Sequence, residues 1–280
     1  MQQQHTLGDV LEFEGVGLHT GAAVRVRIRP QVAGSGLRFR LGEGGPVVSA
    51  LAENVTGTRL ATVIGSGDRT VSTVEHLLSA LLGMGVDNAL IEVDGPEIPV
   101  MDGSAAVFAQ AIDHVGTVGQ STPRSLMVVD RAFYYRDGEA RLIILPADEF
   151  RVKFFVDYAP PIGTHYFDEA IEPATYLSEV APARTFGQAH EVEALLAAGL
   201  ARGGTLDNAL VFAPDGPLTP LRWRNEVVRH KVLDLIGDLA LLGARPMCEI
   251  ISIKSGHKLH AVATNDLRAA YAPARAANGR

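Results

Sequence analysis

The feature that most limits how this chain can fold is a repeat built around two histidines. Placing His76 over His230 puts each on a run of helical spacing, and in both runs the seventh following residue is a glycine, Gly83 and Gly237. In both, an apolar helical stretch and a short break lead into an apolar strand, predicted at 89–93 and 248–253. Self-similarity of this kind implies two copies of one supersecondary unit. The expected unit is strands, helix, strand, helix, with the two histidines brought together where the halves meet.

The second of these helices says most about chemistry. Val228, Val232, Leu233, Leu235, Ile236 and Leu239 recur at helical spacing and predict a helix with one buried face. Its polar residues do not scatter: His230, Asp234 and Asp238 follow at i, i+4 and i+8, with Lys231 beside them. At 3.6 residues per turn they form one strip, with successive Cβ atoms about 5–6 Å apart. A neutral imidazole and a carboxylate one turn apart can share a divalent metal. A lone HxxxD is more often an ion pair on a solvated face, so the rest of the chain has to decide.

A length of 280 residues suits one large domain or two of about 120–150 residues. Residues 116–125 carry no periodic pattern and are the linker candidate, giving expected domains 1–120 and 121–280. Before the linker, strands are predicted at 24–28, 37–41, 60–64 and 89–93, and helices from Ser72 to Gly83 and from Ala105 to Val115. After it, strands are predicted at 126–129, 132–135, 140–146, 152–156, near 208–212 and at 248–253, with a helix at 186–198.

Composition excludes several classes. A net charge of −7 leaves no basic footprint for nucleic acid; Arg25-Val-Arg27-Ile-Arg29 and Arg38-Phe-Arg40 alternate with apolar residues as exposed strand faces do. No run of about 18 apolar residues occurs, so no transmembrane span is expected. The start lacks a basic and an apolar signal region. The single cysteine, Cys248, lies in an apolar run and suits a reducing compartment. A cytoplasmic monomer is the expectation.

Other candidate residues each have a plain structural reading. Ser72-x-x-Glu75 has the form of a capping box. Yet His76 in a first helical turn feels the positive end of the helix dipole, which keeps imidazole neutral and fit to bind a cation, with a glutamate adjacent. His257 closes Lys254-Ser-Gly-His257 at a strand tip, where glycine lets the backbone turn. Thr185 is placed to cap the helix predicted at 186–198, and its hydroxyl could also donate to an oxyanion. No Walker A loop, HExxH, GxSxG or CxxC pair is present. His, His and Asp make three protein ligands, the count of a catalytic zinc site with one position open, and a spare glutamate and histidine would complete a metal-assisted hydrolase.

Taken together and in order, these segments resemble the UDP-3-O-acyl-N-acetylglucosamine deacetylase family. The similarity rests on Ser72-Thr-Val-Glu75-His76-Leu-Leu, Val228-Arg-His230-Lys231-Val-Leu-Asp234-Leu-Ile-Gly-Asp238 and Lys254-Ser-Gly-His257. It is supported by Gly15-Val-Gly17-Leu-His19-Thr-Gly21, Ile98-Pro-Val-Met-Asp102-Gly-Ser104, Ala183-Arg-Thr185-Phe186-Gly187 and Gly203-Gly-Thr-Leu-Asp-Asn208.

The resemblance implies an α+β fold of two similar βααβ-type domains packed face to face, with the helices sandwiched between two sheets. It implies a deacetylase of an acylated UDP-amino sugar, acting at the committed step of lipid A biosynthesis. His76, His230 and Asp234 would bind Zn2+, with Fe2+ also suited to such a set. Glu75 would be general base and His257 general acid, oriented by Asp238, while Thr185 would stabilise the oxyanion. Lys231, Lys254, Phe186 and His19 would meet substrate. A deacetylase of another N-acetyl sugar and a non-catalytic metal or nucleotide-sugar binder are the alternatives. The chain departs from the family at Tyr158-Ala-Pro-Pro161, where a His-Pro pair is common, near the second-domain insert that forms the acyl passage. An alanine-rich, frayed tail is expected from Pro273 to Arg280.

Overall fold

The computed structural model describes residues 2–271; the expected tail lies outside them. Its α-helices are α1 (Glu75–Gly83), α2 (Ala106–Val115), the one-turn α3 (Pro173–Thr175), α4 (Ala189–Ala197), α5 (Glu226–Ala240) and α6 (His257–Tyr271). Two larger sheets carry one strand plan twice. In the first, Leu11–Val16 and Ala23–Pro30 form an antiparallel pair, and Ala23–Pro30 pairs antiparallel with the central strand Ala89–Val93. That central strand runs parallel to Leu37–Leu41, which pairs antiparallel with Val47–Ser49.

The second sheet repeats the order and the senses with Phe133–Asp137, Ala140–Pro146, central Arg245–Ile253, Phe150–Asp157 and Thr164–Ala170. Leu126–Val128 adds parallel to the start of its central strand. In each sheet one long helix precedes the central strand (α1, α5) and another follows it (α2, α6). The fold is therefore α+β and two-fold repetitive, as the histidine alignment predicts.

Period-two alternation makes these sheets one-sided. In Ala23–Pro30, Val24, Val26 and Ile28 are buried while Arg25, Arg27 and Arg29 face out. The outward arginines pair across strands with acids, Arg27 with Glu12 at 3.0 Å and Arg40 with Glu92 at 2.7 Å. The basic clusters are thus strand faces. Between the sheets, α1 and α5 are apolar on several sides, as helices enclosed by other elements must be. Leu77, Leu78, Leu81, Val228, Val232, Leu233, Leu235 and Ile236 are fully buried.

Gly237 lets the two helices touch, because a Cβ there would overlap the Glu75 carbonyl. The repeat-related Gly83 has another use: a Cβ would overlap the ring of buried Tyr176, whose hydroxyl donates to Ser79 at 2.9 Å.

Several local expectations change. Residues 117–123 are not irregular: Thr117–Pro123 pairs antiparallel with Gln3–Leu7 and ties the middle of the chain to its start. The strand predicted at 60–64 runs Val63–Ser66, and the helix predicted from Ser72 begins at Glu75. The helix predicted at 186–198 is a short strand, Phe186–Gln188, followed by α4, so Gln188 and not Thr185 is the N-cap. Gln188 donates its backbone N–H to Glu191 at 3.0 Å, closing that first turn. Residues after Lys254 do not remain a loop; His257 is the first residue of α6.

Candidate metal-dependent active site

Two helices bring three ligand-type side chains to one point. His76 comes from the first turn of α1, and His230 and Asp234 from successive turns of α5. Asp234 Oδ1 lies 3.4 Å from His230 Nε2 and 3.8 Å from His76 Nε2, and the two imidazoles meet edge to face at 5.0 Å. All three residues are buried, with Asp234 4% exposed. Burial decides between the two readings of the HxxxD strip, which is not on a solvated face. The ligand-type atoms of the three lie within 4.8 Å of one another, a set that could hold a metal ion.

The protonation states suit a cation. Burial, with His230 adding to it, lowers His76 to about 3. Burial also lowers His230, and its Nδ1 contacts the Ala183 carbonyl at 3.0 Å, so that nitrogen carries the hydrogen and Nε2 keeps its lone pair. Burial resists ionisation of Asp234, but Lys231 and then His230 outweigh it and hold the carboxyl well below the usual range. Lys231 donates to Asp234 Oδ2 at 2.6 Å, leaving Oδ1 toward the imidazoles. Two neutral imidazoles and one carboxylate fit Zn2+ or a similar divalent ion.

Glu75 stands beside this set and does not cap its helix. Val74 is the N-cap without a side-chain bond, and Glu75 Oε2 instead accepts the Thr62 backbone N–H at 3.0 Å. Burial pushes the Glu75 carboxyl up to about 8. Across from it, His257 Nε2 lies 4.0 Å from Glu75 Oε1, and His257 Nδ1 donates to Asp238 Oδ2 at 2.8 Å. Burial would lower His257, but Asp238 and then Glu75 outweigh it and raise the ring to about 9. Asp238 is brought down to about 2: burial opposes its charge, and His257 and His260 overcome that. Thr62 donates its hydroxyl to Asp238 Oδ1 at 2.5 Å.

A cavity of about 470 Å³ opens onto these groups and is walled by His19, Thr185, Phe186 and Lys231 together with Leu195, Leu196 and Val211. Thr185 is fixed through its backbone, donating to Gly103 at 2.7 Å and accepting from Leu210 at 2.8 Å. Buried Glu97 positions the His19 loop, accepting the His19 N–H at 3.0 Å and the hydroxyl of Thr73 at 2.8 Å. Gly17 is required in that loop, since a Cβ would overlap the Glu97 carboxylate. Two predicted site residues do not line this cavity: Asp238, which reaches it through His257, and Lys254, which pairs with Asp157 at 2.9 Å and Glu139 at 3.2 Å.

With this geometry in view, a family profile described as UDP-3-O-acyl N-acetylglycosamine deacetylase matches residues 4–269. The chain belongs to that family. Members are hydrolases acting on an amide, and this chain is an enzyme of that kind. A UDP-3-O-acyl-N-acetylglucosamine deacetylase of Nostoc sp. is 45% identical over 268 residues, covering 92% of this chain and 95% of the relative. Proteins of the same name from Citrifermentans bemidjiense and Myxococcus xanthus are 42% and 43% identical over 262 residues, covering 92% of this chain and 86% and 83% of the relatives.

Three residues of the candidate site have no place in the sequence-based expectation. Thr62 and Glu97 have no local signature, because their partners lie far along the chain. His260 had one: Leu259, Ala263 and Leu267, all buried, recur every four residues and mark a helix that carries His257 and His260 on successive turns. Among the described residues no helix is long and apolar enough to cross a membrane.

Proposed function

We propose that the enzyme removes the N-acetyl group from a UDP-3-O-acyl-N-acetylglucosamine, releasing acetate, at the committed step of lipid A biosynthesis. The observation that carries this reading is the convergence of His76, His230 and Asp234 beside Glu75 and His257 at the floor of a largely apolar cavity. His76, His230 and Asp234 would hold Zn2+, or Fe2+ in its place. That ion, when bound, would polarise the amide carbonyl and the attacking water.

Glu75 takes a proton from that water; its burial and its single backbone donor keep it basic and aimed. The water oxygen bonds to the acetyl carbon, and the Thr185 hydroxyl donates to the oxygen that gains charge, a contact worth about 3 kcal/mol in comparable sites. The C–N bond then breaks, the nitrogen takes the His257 Nε2 proton, and acetate and amine depart. Asp238 keeps His257 charged until then.

Lys231 and His19 would contact the polar part of the substrate, and Phe186 with the α4 wall its acyl chain. Lys254 would reach substrate only by leaving Asp157 and Glu139. The reading includes a cytoplasmic monomer, two units spanning 1–120 and 121–280, and an inert Cys248, whose buried thiol is pushed up to about 12.

Turnover of the acylated UDP sugar and of its unacylated counterpart tests the substrate assignment. The acylated compound is expected to be the better substrate, and equal turnover of both would sink the assignment in favour of another N-acetyl sugar.

A further inference from the structure

Asp238 is shared by two histidines. Its Oδ2 accepts from His257 Nδ1 at 2.8 Å and from His260 Nδ1 at 2.7 Å, while Oδ1 accepts the Thr62 hydroxyl. His260 is fully buried and lines no part of the cavity. Its other nitrogen, Nε2, meets Ser255 Oγ at 2.7 Å, and Ser255 Oγ meets buried Ser252 Oγ at 2.5 Å.

The proton positions follow from the acceptor at the end of the chain. An ionised carboxylate only accepts, so both Nδ1 atoms carry hydrogen. Burial lowers the proton affinity of His260 and keeps that ring neutral. Nε2 therefore has the lone pair, Ser255 donates to it, and Ser252 donates to Ser255. The chain runs one way, from Ser252 through Ser255 and His260 to Asp238, and a ring flip would break two of its bonds.

We infer that His260 is a positioning residue, which orients Asp238 and, by sharing Oδ2, tempers the hold of that carboxylate on His257. The inference rests on the reading of His257 as general acid. The charged and titratable groups facing His257 are Glu75 from α1, Asp238 and Asp234 from α5, and His260 on its own helix, with Lys231, His76 and His230 farther round the site. Of these, only His260 draws on the oxygen that His257 uses. Without its N–H the charge on Oδ2 falls wholly to His257, which then keeps its proton to higher pH and gives it up less readily.

The test is the pH–rate profile of the metal-loaded enzyme for His260→Leu and His260→Asn, with His257→Ala alongside. In His260→Leu the alkaline limb should move up by about one pH unit and kcat fall about tenfold, the scale of one hydrogen bond to a charged group, with KM unchanged. His260→Asn keeps an N–H toward Asp238 and should restore the limb. NMR titration of the His257 ring in metal-free protein should show the same upward shift in His260→Leu. Should His260→Leu fail to fold, Ser255→Ala carries the test through a smaller shift in the same direction.

An unmoved limb and an unmoved ring titration, or a shift that asparagine does not reverse, would overturn the role of His260. If His257→Ala retains the alkaline limb, the general-acid reading itself falls. If His257→Ala loses the limb while His260→Leu leaves it in place, only the positioning role falls.

Discussion

The two repeated units have the same strand order and the same helix placement, yet they contribute unequally to the candidate site. In the first unit, α1 offers its N-terminal turn: Glu75 and His76 enter the site end-on, and the rest of the helix is core, apolar but for Ser79. In the second, α5 offers its flank, with His230, Lys231, Asp234 and Asp238 following one another along three turns. The segments after the central strands differ as well. In the first unit that segment is scaffold, with Gly103 accepting the Thr185 backbone N–H. In the second it leads through Ser255 into His257 and His260. A duplicated fold supplies two facing helices, and where they face each other both copies place polar residues in the core.

Variants that break this comparison should rank by what each unit supplies. His76→Ala and His230→Ala remove one ligand from each unit, and both are expected to lose the metal and essentially all turnover. Metal content per chain measures this, and retention by either variant would remove that unit from the metal site. Glu75→Ala, next to His76 but outside the ligand set, should keep its metal and lose turnover by roughly 10²–10⁴-fold, the range for a general base. A metal-free Glu75→Ala protein would make Glu75 a ligand or a structural support instead.

His257→Ala tests the second unit alone. The ring is raised to about 9, so its proton-giving form is present below about pH 9 and lost above it. Wild-type activity should therefore fall on the alkaline side, and this variant should lack that limb, as a pH–rate profile would show. The smallest effects should come from the paired glycines. Gly83→Ala and Gly237→Ala each overfill a close contact and should cost about 1–3 kcal/mol in denaturant unfolding. Only Gly237→Ala pushes on the Glu75 backbone and so on the adjacent His76, so only it should also weaken metal affinity; equal metal affinity in both would mean the helix contact does not shape the site.

How far the sequence revealed this molecule depended on the range of the interaction concerned. Strands 89–93 and 140–146 stand out as short, mostly apolar runs, and strand 37–41 because its period-two alternation is local. The His230–Asp238 strip stands out for the same reason at helical period. Thr117–Pro123 was invisible because its mostly exposed, polar residues carry no pattern and its partner strand lies more than a hundred residues away. Ser72-x-x-Glu75 misled because a capping box and a buried carboxylate have the same local sequence; what separates them is the Thr62 N–H, thirteen residues upstream. The α6 helix carried a weak apolar repeat that the preceding Ser-Gly turn obscured, and His260 went with it.

Amide hydrolysis is expected to depend on a metal held jointly by the two units. Acetate release from the acylated UDP sugar, measured on protein stripped of metal by a chelator and then titrated with zinc, tests it most directly. The account predicts no release from stripped protein and recovery that saturates at one zinc per chain. Undiminished release from the stripped protein would contradict it.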